Sequence, residues 1–348
     1  MSKDDILFER RGRLGHVRLN RPHALNALTL DMSRRLDRTL KDWALDPEIA
    51  LVAIRGAGER AFCAGGDVRA LYKEGPGSPF TEIFYREEYA LNRNIFRFPK
   101  PYVALIDGIV MGGGVGVSAH GSHRVVTERT LFAMPETGIG LFPDVGATWL
   151  LSRCPGETGL YLGLTGARIR AADLIALGLA EVMVPGDRLD ALEAELAQVR
   201  TRAEIDGVLG AHDADPGDPA LGPHRATIDR CFSEPSVERI LAALDAEGTG
   251  WARETAATLR TKSPTSLKVT LRQLRLGRTL PDFEAAMRLE FRLVQHFMAG
   301  KEFFEGVRAV VIDKDQRPRW SPARLEDVTD AQIESYFAPL RRELEFPD

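Results

Sequence analysis

Short runs of apolar or alternating residues recur through the first half of the chain and are typical of strands. The five clearest runs are His16–Asn20, Leu51–Arg55, Val103–Ile106, Arg124–Thr127 and Leu131–Met134. Between the first two runs, apolar residues repeat along one face of a helix that follows a candidate N-cap at Thr29. Strands joined through helices, with glycine-rich turns, predict an α/β fold for about the first 190 residues.

The second half of the sequence has a helical pattern. It is interrupted at Ala211–Pro223, where Asp, Pro, Gly and Ala predominate and predict an exposed loop. From Ala286 to Met298, apolar residues form a helical stripe wide enough for burial on more than one side. We therefore predict a catalytic core over residues 1–200 and a mainly helical region over residues 201–348, which packs on the core or on a neighbouring subunit.

The composition narrows the classes of partner. With 348 residues the chain exceeds what one hydrophobic core usually holds, and its 44% hydrophobic and 28% charged residues are ordinary for a globular protein. A formal net charge of -4 gives no basic field for nucleic acid, so we expect no such partner. No run approaches the roughly 18 apolar residues of a membrane helix, and we expect no membrane partner either.

Cysteine usage and the first residues bear on the compartment. Cys63, Cys154 and Cys231 are too few and too scattered for a disulfide framework or a zinc site, which suits a reducing environment. Asp4 and Asp5 fit neither a secretory signal nor the acid-poor composition of an organelle signal. These features predict a cytoplasmic protein.

Two glycine-rich segments follow predicted strands and could present backbone N–H groups to a ligand. They are Ala61-Phe62-Cys63-Ala64-Gly65-Gly66-Asp67 and Met111-Gly112-Gly113-Gly114-Val115-Gly116. Free N–H groups at the start of a helix can bind an anionic oxygen, whereas the alternative is a tight turn or close packing of a helix on a strand. The second segment also imitates a dinucleotide fingerprint, but it lies in mid-chain without a clear acidic strand end about twenty residues later.

Two carboxylates stand among apolar residues, glycines and prolines in one loop, Met134–Gly146. Glu136 and Asp144 are eight residues apart, and Leu141-Phe142 between them favours burial. Burial raises the pKa of a carboxyl group and suits it to acid–base or nucleophilic work. The alternative is a surface loop with solvated acids.

A third acid lies on a helix predicted from Thr81 to Phe96. Glu88 falls on the apolar stripe of that helix, although a competing register turns Glu87 inward instead. An isolated histidine pair, His120 and His123, has no accompanying ligands, and no metal site is expected.

Taken together, four blocks of the sequence resemble the crotonase family, also called enoyl-CoA hydratase/isomerase. The blocks are Arg21-Pro22-His23-Ala24-Leu25-Asn26-Ala27-Leu28, Ala64-Gly65-Gly66-Asp67, Met111–Gly116 and Pro135-Glu136. The resemblance implies a crotonase-type spiral of ββα units with a C-terminal helical region. It also implies that the N–H groups of Gly66 and Gly113 bind the thioester oxygen of an acyl-CoA. The substrate would further contact Ala24, Ala64 and Asp67.

The chain departs from the hydratases of this family at one catalytic position. Hydratases carry a glutamate just after the glycine run and another in the Pro-Glu loop, but this chain has Gly116 at the first place. From about Phe8 to Leu340 it resembles instead a branch that hydrolyses 3-hydroxyisobutyryl-CoA in valine breakdown. That resemblance implies that Glu136 cleaves the thioester, as nucleophile or as base for water, while Asp144 and Glu88 orient the acyl group.

The same resemblance sets the expected partners. No metal or redox cofactor is expected, since coenzyme A is part of the substrate, and a homo-oligomer is compatible with the sequence. Two other functions stay open: hydration or isomerisation of an enoyl-CoA, and binding of CoA without turnover.

Overall fold

Nine strands and sixteen helices make up the regular structure of residues 4–346, the part of the chain that the computed structural model describes. The strands are β1 (Ile6–Arg11), β2 (Leu14–Leu19), β3 (Leu51–Gly56), β4 (Ala61–Cys63), β5 (Tyr102–Ile106), β6 (Ile109–Met111), β7 (His123–Val126), β8 (Leu131–Ala133) and β9 (Val182–Met183). The helices are α1 (Leu30–Leu45), α2 (Val68–Glu74), α3 (Pro79–Phe96), α4 (Gly113–Gly116), α5 (Ala147–Leu151), α6 (Thr158–Thr165), α7 (Ala171–Ala176), α8 (Leu189–Leu196), α9 (Arg202–His212), α10 (Arg225–Phe232), α11 (Val237–Glu247), α12 (Gly250–Arg260), α13 (Pro264–Gly277), α14 (Phe283–Ala299), α15 (Glu302–Val307) and α16 (Asp330–Tyr336).

The larger sheet has six strands in the order β1-β2-β3-β5-β7-β9. Strands β1 and β2 form an antiparallel hairpin through a turn at Gly12, whose φ of +59° suits glycine. The remaining neighbours are all parallel. Parallel strands need crossover connections, and α1 provides the first of them between β2 and β3.

A second sheet has three short strands in the order β4-β6-β8. Each of the pairs β3/β4, β5/β6 and β7/β8 places its first strand in the large sheet and its second in the small one. A helix follows each of the first two pairs before the next pair begins. This alternation confirms the predicted spiral of ββα units.

Helix α1 shows how the local sequence sets an element's bounds. The Thr29 side chain accepts a hydrogen bond from the Met32 N–H at 3.2 Å and so caps the helix, as its position before the apolar stripe predicts. The helix ends at Leu45, and Asp46 is its C-cap. Met32, Leu36 and Leu40 are all buried.

The described chain divides into two compact units that interleave along the sequence. The strand-rich unit contains residues up to Gly66, Ala90–Phe132 and Arg168–Gly222. Its core joins apolar side chains of the parallel strands to those of α8 and α9, among them Leu14, Leu51, Val103, Leu105, Val125, Leu189, Leu192, Ile205 and Leu209. Strands with apolar residues on both faces are typical of parallel sheets that helices cover.

The helical unit contains Asp67–Tyr89, Ala133–Ala167 and the residues from Pro223 onward. Helices α13 and α14 are buried along much of their length. Among residues 201–346 every regular element is helical, as the sequence predicts for that region. The predicted domain boundary at residue 200 stays a prediction, because the compact units do not follow a single division of the chain.

Candidate active site

Three acidic side chains are buried in the helical unit: Glu88 on α3, Glu136 at the start of a 3₁₀ turn, and Asp144. Each is at most 5% exposed. Burial confirms that Glu88, and not Glu87, points inward from its helix. The loop around Leu141-Phe142 is buried too, which excludes a surface loop with solvated acids.

The ionisation of these acids is altered by burial and by one another. Burial raises the pKa of Glu88 and of Glu136 well above the ordinary value, and the nearby charge of Asp144 raises both further. Burial also raises the pKa of Asp144 to about 7, against the lowering effect of a hydrogen bond from Tyr89. The structure therefore brings the three predicted acids into one electrostatic cluster, in which burial favours the neutral form of each carboxyl group more than water does.

Two oxygens of this acidic cluster, formed by Glu88, Glu136 and Asp144, are unusual. Glu88 Oε1 and Glu136 Oε2 are buried and accept no hydrogen bond from any residue within 4–346. Buried polar atoms are nearly always paired in folded proteins. Both oxygens are thus suited to accept a hydrogen bond from, or to react with, a bound polar group.

The turn that carries Glu136 is held in place by the bonds of the next residue, Thr137. Thr137 Oγ1 donates to the Leu164 carbonyl at 3.0 Å, and the Thr137 carbonyl accepts from the Ser263 N–H at 3.1 Å. Gly140 lies so close to α15 that an added Cβ would come within 2.3 Å of the Glu302 carbonyl oxygen. The turn that carries Glu136 is therefore fixed on both sides.

Two tyrosines of α3 join the acidic cluster, and sequence reasoning gave them no role. The Tyr89 hydroxyl donates to Asp144 Oδ2 at 2.7 Å. Burial raises the pKa of Tyr85, and the charges of Asp144, Glu88 and Glu136 raise it further. Spacing was the available signal, since Tyr85 lies three residues before Glu88 and four before Tyr89, and residues three or four apart share a helix face.

A fourth carboxylate, Glu290 of α14, is fully buried and was also missed. It accepts hydrogen bonds from the N–H groups of Gly146 and Thr148, both at 2.7 Å. Burial raises its pKa to about 8, against the lowering effect of these bonds. The signal was a single acid inside the apolar stripe of a helix predicted to be buried.

The two glycine-rich segments meet within the strand-rich unit. A Cβ added to Gly65 would lie 3.4 Å from the Met111 carbonyl oxygen and 3.8 Å from the Gly113 nitrogen. Gly113 is the first residue of α4, where an N–H has no partner inside the helix. Gly66 forms a parallel bridge with Leu28.

The other predicted substrate contacts lie beside these segments or cap a helix. The Ala64 N–H donates to the Leu25 carbonyl at 3.0 Å, so the loop of Ala64 lies against the loop that carries Ala24. Asp67 caps α2 through a hydrogen bond from the Ala70 N–H. These contacts give Asp67 a structural role; its contact with substrate stays a prediction.

Cys63 and His123 each have a contact of their own within the fold. Cys63 is buried, and its thiol lies 3.6 Å from the Gly65 carbonyl oxygen. His123 Nε2 lies 3.1 Å from an Asp206 oxygen on α9. Over the described part of the chain, no three His, Cys, Asp or Glu side chains are grouped so that they could hold a metal ion.

No helix described in residues 4–346 is long and apolar enough to span a bilayer.

Comparison with known proteins decides the family. A profile described as enoyl-CoA hydratase/isomerase matches residues 14–337. The chain belongs to this family. The predicted family resemblance is therefore confirmed.

Relatives within the family carry the name 3-hydroxyisobutyryl-CoA hydrolase, mitochondrial. The chain is 48% identical to that of Rattus norvegicus over 98% of this chain and 91% of the relative. It is 44% identical to that of Homo sapiens over 97% of this chain and 89% of the relative.

Two solved structures of the family are similar over nearly the whole chain. One is described as a carnitinyl-CoA dehydratase from Mycobacterium thermoresistibile, with a TM-score of 0.94, 42% identity and 99% coverage of both chains. The other is described as an enoyl-CoA hydratase from Rhodobacter sphaeroides 2.4.1, with a TM-score of 0.91 and 41% identity, covering 98% of this chain and 100% of that one. Family members with this fold therefore carry the names of different reactions.

Proposed function

We propose that the protein hydrolyses a short hydroxyacyl-CoA thioester, 3-hydroxyisobutyryl-CoA, to 3-hydroxyisobutyrate and free CoA. The observation that carries this proposal is the buried acidic cluster of Glu88, Glu136 and Asp144, with two carboxylate oxygens that lack a partner among the described residues. Relatives 44–48% identical over nearly the full chain, all named for this reaction, support it.

The proposed chemistry breaks the thioester C–S bond and forms a C–O bond. The N–H groups of Gly66 and Gly113 stabilise the negative charge that develops on the carbonyl oxygen. Glu136 supplies the attacking oxygen and forms a mixed anhydride that water then hydrolyses, or it removes a proton from a water molecule that attacks the thioester directly. Either route consumes one water molecule in total and leaves CoA as a free thiol.

Selection of the acyl group is assigned to the two other acids of the cluster. Glu88 and Asp144 accept the hydrogen bond of the acyl hydroxyl, for which the unpartnered Glu88 Oε1 is available. A plain acyl group would leave these buried oxygens unsatisfied, which disfavours its binding.

Hydration or isomerisation of an enoyl-CoA is the second candidate, favoured by the names of the two similar solved structures. In the hydratases of the family two glutamates add water across the double bond. Here Gly116 stands at the position of the first, and it is buried in α4 without a side chain to act. Hydrolysis needs one such carboxylate and is therefore the better fit.

A thiol-release assay distinguishes the candidates. The protein is incubated separately with 3-hydroxyisobutyryl-CoA, isobutyryl-CoA and crotonyl-CoA, and free thiol and the enoyl absorbance are followed. We expect rapid thiol release from the hydroxylated substrate and much slower release from the other two. Loss of crotonyl absorbance without thiol would favour hydration, and binding without any turnover would favour a CoA-binding protein.

The setting of the reaction is proposed on less direct grounds. A role in valine degradation follows from the proposed substrate, and neither a metal nor a redox cofactor takes part in the proposed steps. A cytoplasmic location is proposed from the sequence. The relatives compared above are instead named as mitochondrial. A homo-oligomer is likewise a proposal.

A further inference from the structure

The backbone around Asp144 adopts a conformation that its own sequence disfavours. Val145 has a φ of +54° and Gly146 a φ of +90°. The left-handed region suits glycine but not a β-branched residue such as valine. Backbone of this kind persists only where the surrounding structure holds it, and it is concentrated at functional sites.

Glu290 holds this segment on its C-terminal side. Its Oε2 accepts from the Gly146 N–H and its Oε1 from the Thr148 N–H, both at 2.7 Å. Because each N–H can only donate, both positions require an acceptor, and a carboxylate supplies two. The side chain has no exposed surface, so water cannot readily replace these bonds.

Gln273 holds the segment on its N-terminal side. Its Nε2 donates to the Pro143 carbonyl at 2.6 Å and to Thr148 Oγ1 at 2.7 Å. A carbonyl oxygen can only accept, which fixes the amide nitrogen toward Pro143. Gln273 on α13 is also fully buried.

We propose that Glu290 and Gln273 are positioning residues that set the direction of the Asp144 carboxylate. Their bonds are made to Pro143, Gly146 and Thr148, on both sides of Asp144 in the chain, and neither side chain hydrogen-bonds Asp144 itself. Tyr89 then completes the arrangement by donating to Asp144 Oδ2. The inference rests on the proposed function, in which Asp144 accepts the hydrogen bond of the acyl hydroxyl.

The readout that tests this role is the preference for a hydroxylated substrate. It is the ratio of kcat/KM for 3-hydroxyisobutyryl-CoA to kcat/KM for isobutyryl-CoA. Loss of general stability lowers both rates together and leaves the ratio unchanged, whereas a misdirected Asp144 lowers the ratio. Small displacements of a positioned group can cost about a hundredfold in rate.

Two variants remove the bonds with little change of shape. Glu290→Gln keeps one acceptor and turns an NH₂ group toward the second N–H, and Gln273→Met removes the donor. We expect each to lower the ratio by about tenfold or more. When Glu290→Gln is added to Asp144→Asn, the ratio should change by less than about twofold relative to Asp144→Asn alone. Both substitutions affect the ratio through the Asp144 carboxylate.

Glu193→Gln is the matched control. Glu193 is a buried carboxylate of α8, in the strand-rich unit, that accepts from Arg11 and lies beside His16. We expect Glu193→Gln to lower the free energy of unfolding and to leave the ratio of the two kcat/KM values unchanged. If Glu290→Gln fails to fold, Gln273→Met still decides the matter.

The outcomes separate this inference from the proposed function. An unchanged ratio in both Glu290→Gln and Gln273→Met, while Asp144→Asn lowers it, overturns the positioning role alone. If the wild-type protein releases no thiol from either substrate, the proposed function itself is wrong. If Asp144→Asn leaves the ratio unchanged, the role of Asp144 fails and the positioning role fails with it.

Discussion

At the scale of single residues, Glu88, Glu136 and Asp144 form one buried acidic cluster, and the pKa of each acid is raised by burial. Glu136 and Asp144 stood out because acids are unusual among Leu, Phe, Gly and Pro, and Glu88 because of its helix face. The structure shows that all three are buried. The roles of Tyr89 and Glu290 could not be predicted from helix faces alone, because their partners Asp144, Gly146 and Thr148 lie far away in sequence.

The hydroxyl preference should depend on the ionisation of Asp144. Its pKa is raised to about 7 by burial, so the carboxylate that accepts the substrate hydroxyl forms as the pH rises through that value. We expect the ratio of kcat/KM for 3-hydroxyisobutyryl-CoA over isobutyryl-CoA to increase from pH 6 to pH 8. In Asp144→Asn the ratio should be low and flat. A wild-type ratio that does not change with pH would contradict this assignment of Asp144.

At the scale of elements, apolar runs predicted five strands and all five exist, with ends shifted by one or two residues. Strands β4 and β6 were missed because they adjoin the two glycine-rich segments, where glycine interrupts the apolar pattern, and β9 was missed because it has only two residues. Strand β1 was missed because its three apolar residues are followed directly by three charged ones, so the sequence shows no alternation. Helix α9 extends to His212, two residues into the predicted loop, since its bounds depend on packing against the sheet.

The close approach of α4 to β4 gives a stability prediction. A Cβ added to Gly114 would lie 2.2 Å from the Cys63 carbonyl oxygen, and neither backbone can easily move. We expect Gly114→Ala to lower the free energy of unfolding by about 2 kcal/mol or more, measured by urea denaturation.

Gly207→Ala is the control for that substitution. Gly207 lies within α9, where an added Cβ meets nothing within 4 Å. Here alanine should stabilise the protein by about 0.5–1 kcal/mol through helix propensity alone. Equal effects of the two substitutions would refute the close packing of α4 on β4.

At the scale of the whole molecule, the family and the α/β fold could be predicted because four motifs keep their order and spacing, and the profile match confirms the family. The compact units could not, because each is assembled from three separate stretches of the chain. Local sequence patterns indicate helices and strands, whereas the two compact units depend on contacts between residues far apart in sequence. The cellular location and the oligomeric state stay predictions.

The buried acids should make the protein less stable as the pH rises. Folding raises the pKa of Asp144 from 3.8 to about 7, so its neutral form is favoured in the folded state. The contribution of Asp144 to the free energy of unfolding is complete below pH 3.8. It is lost as the pH rises through 7, by at most about 1.4 kcal/mol per pH unit. We expect urea unfolding to show a smaller pH dependence between pH 5 and pH 8 in Asp144→Asn than in the wild type. Identical dependences would contradict a raised pKa.

The proposed function depends on thioester cleavage by Glu136, and release of free thiol reports this step. Thiol release from 3-hydroxyisobutyryl-CoA is compared between the wild type and Glu136→Gln, with CoA binding measured by calorimetry to show that the variant is folded. We predict that kcat falls by about 10²–10⁴-fold while the affinity for CoA is retained. Thioester cleavage at the wild-type rate by Glu136→Gln would contradict the account.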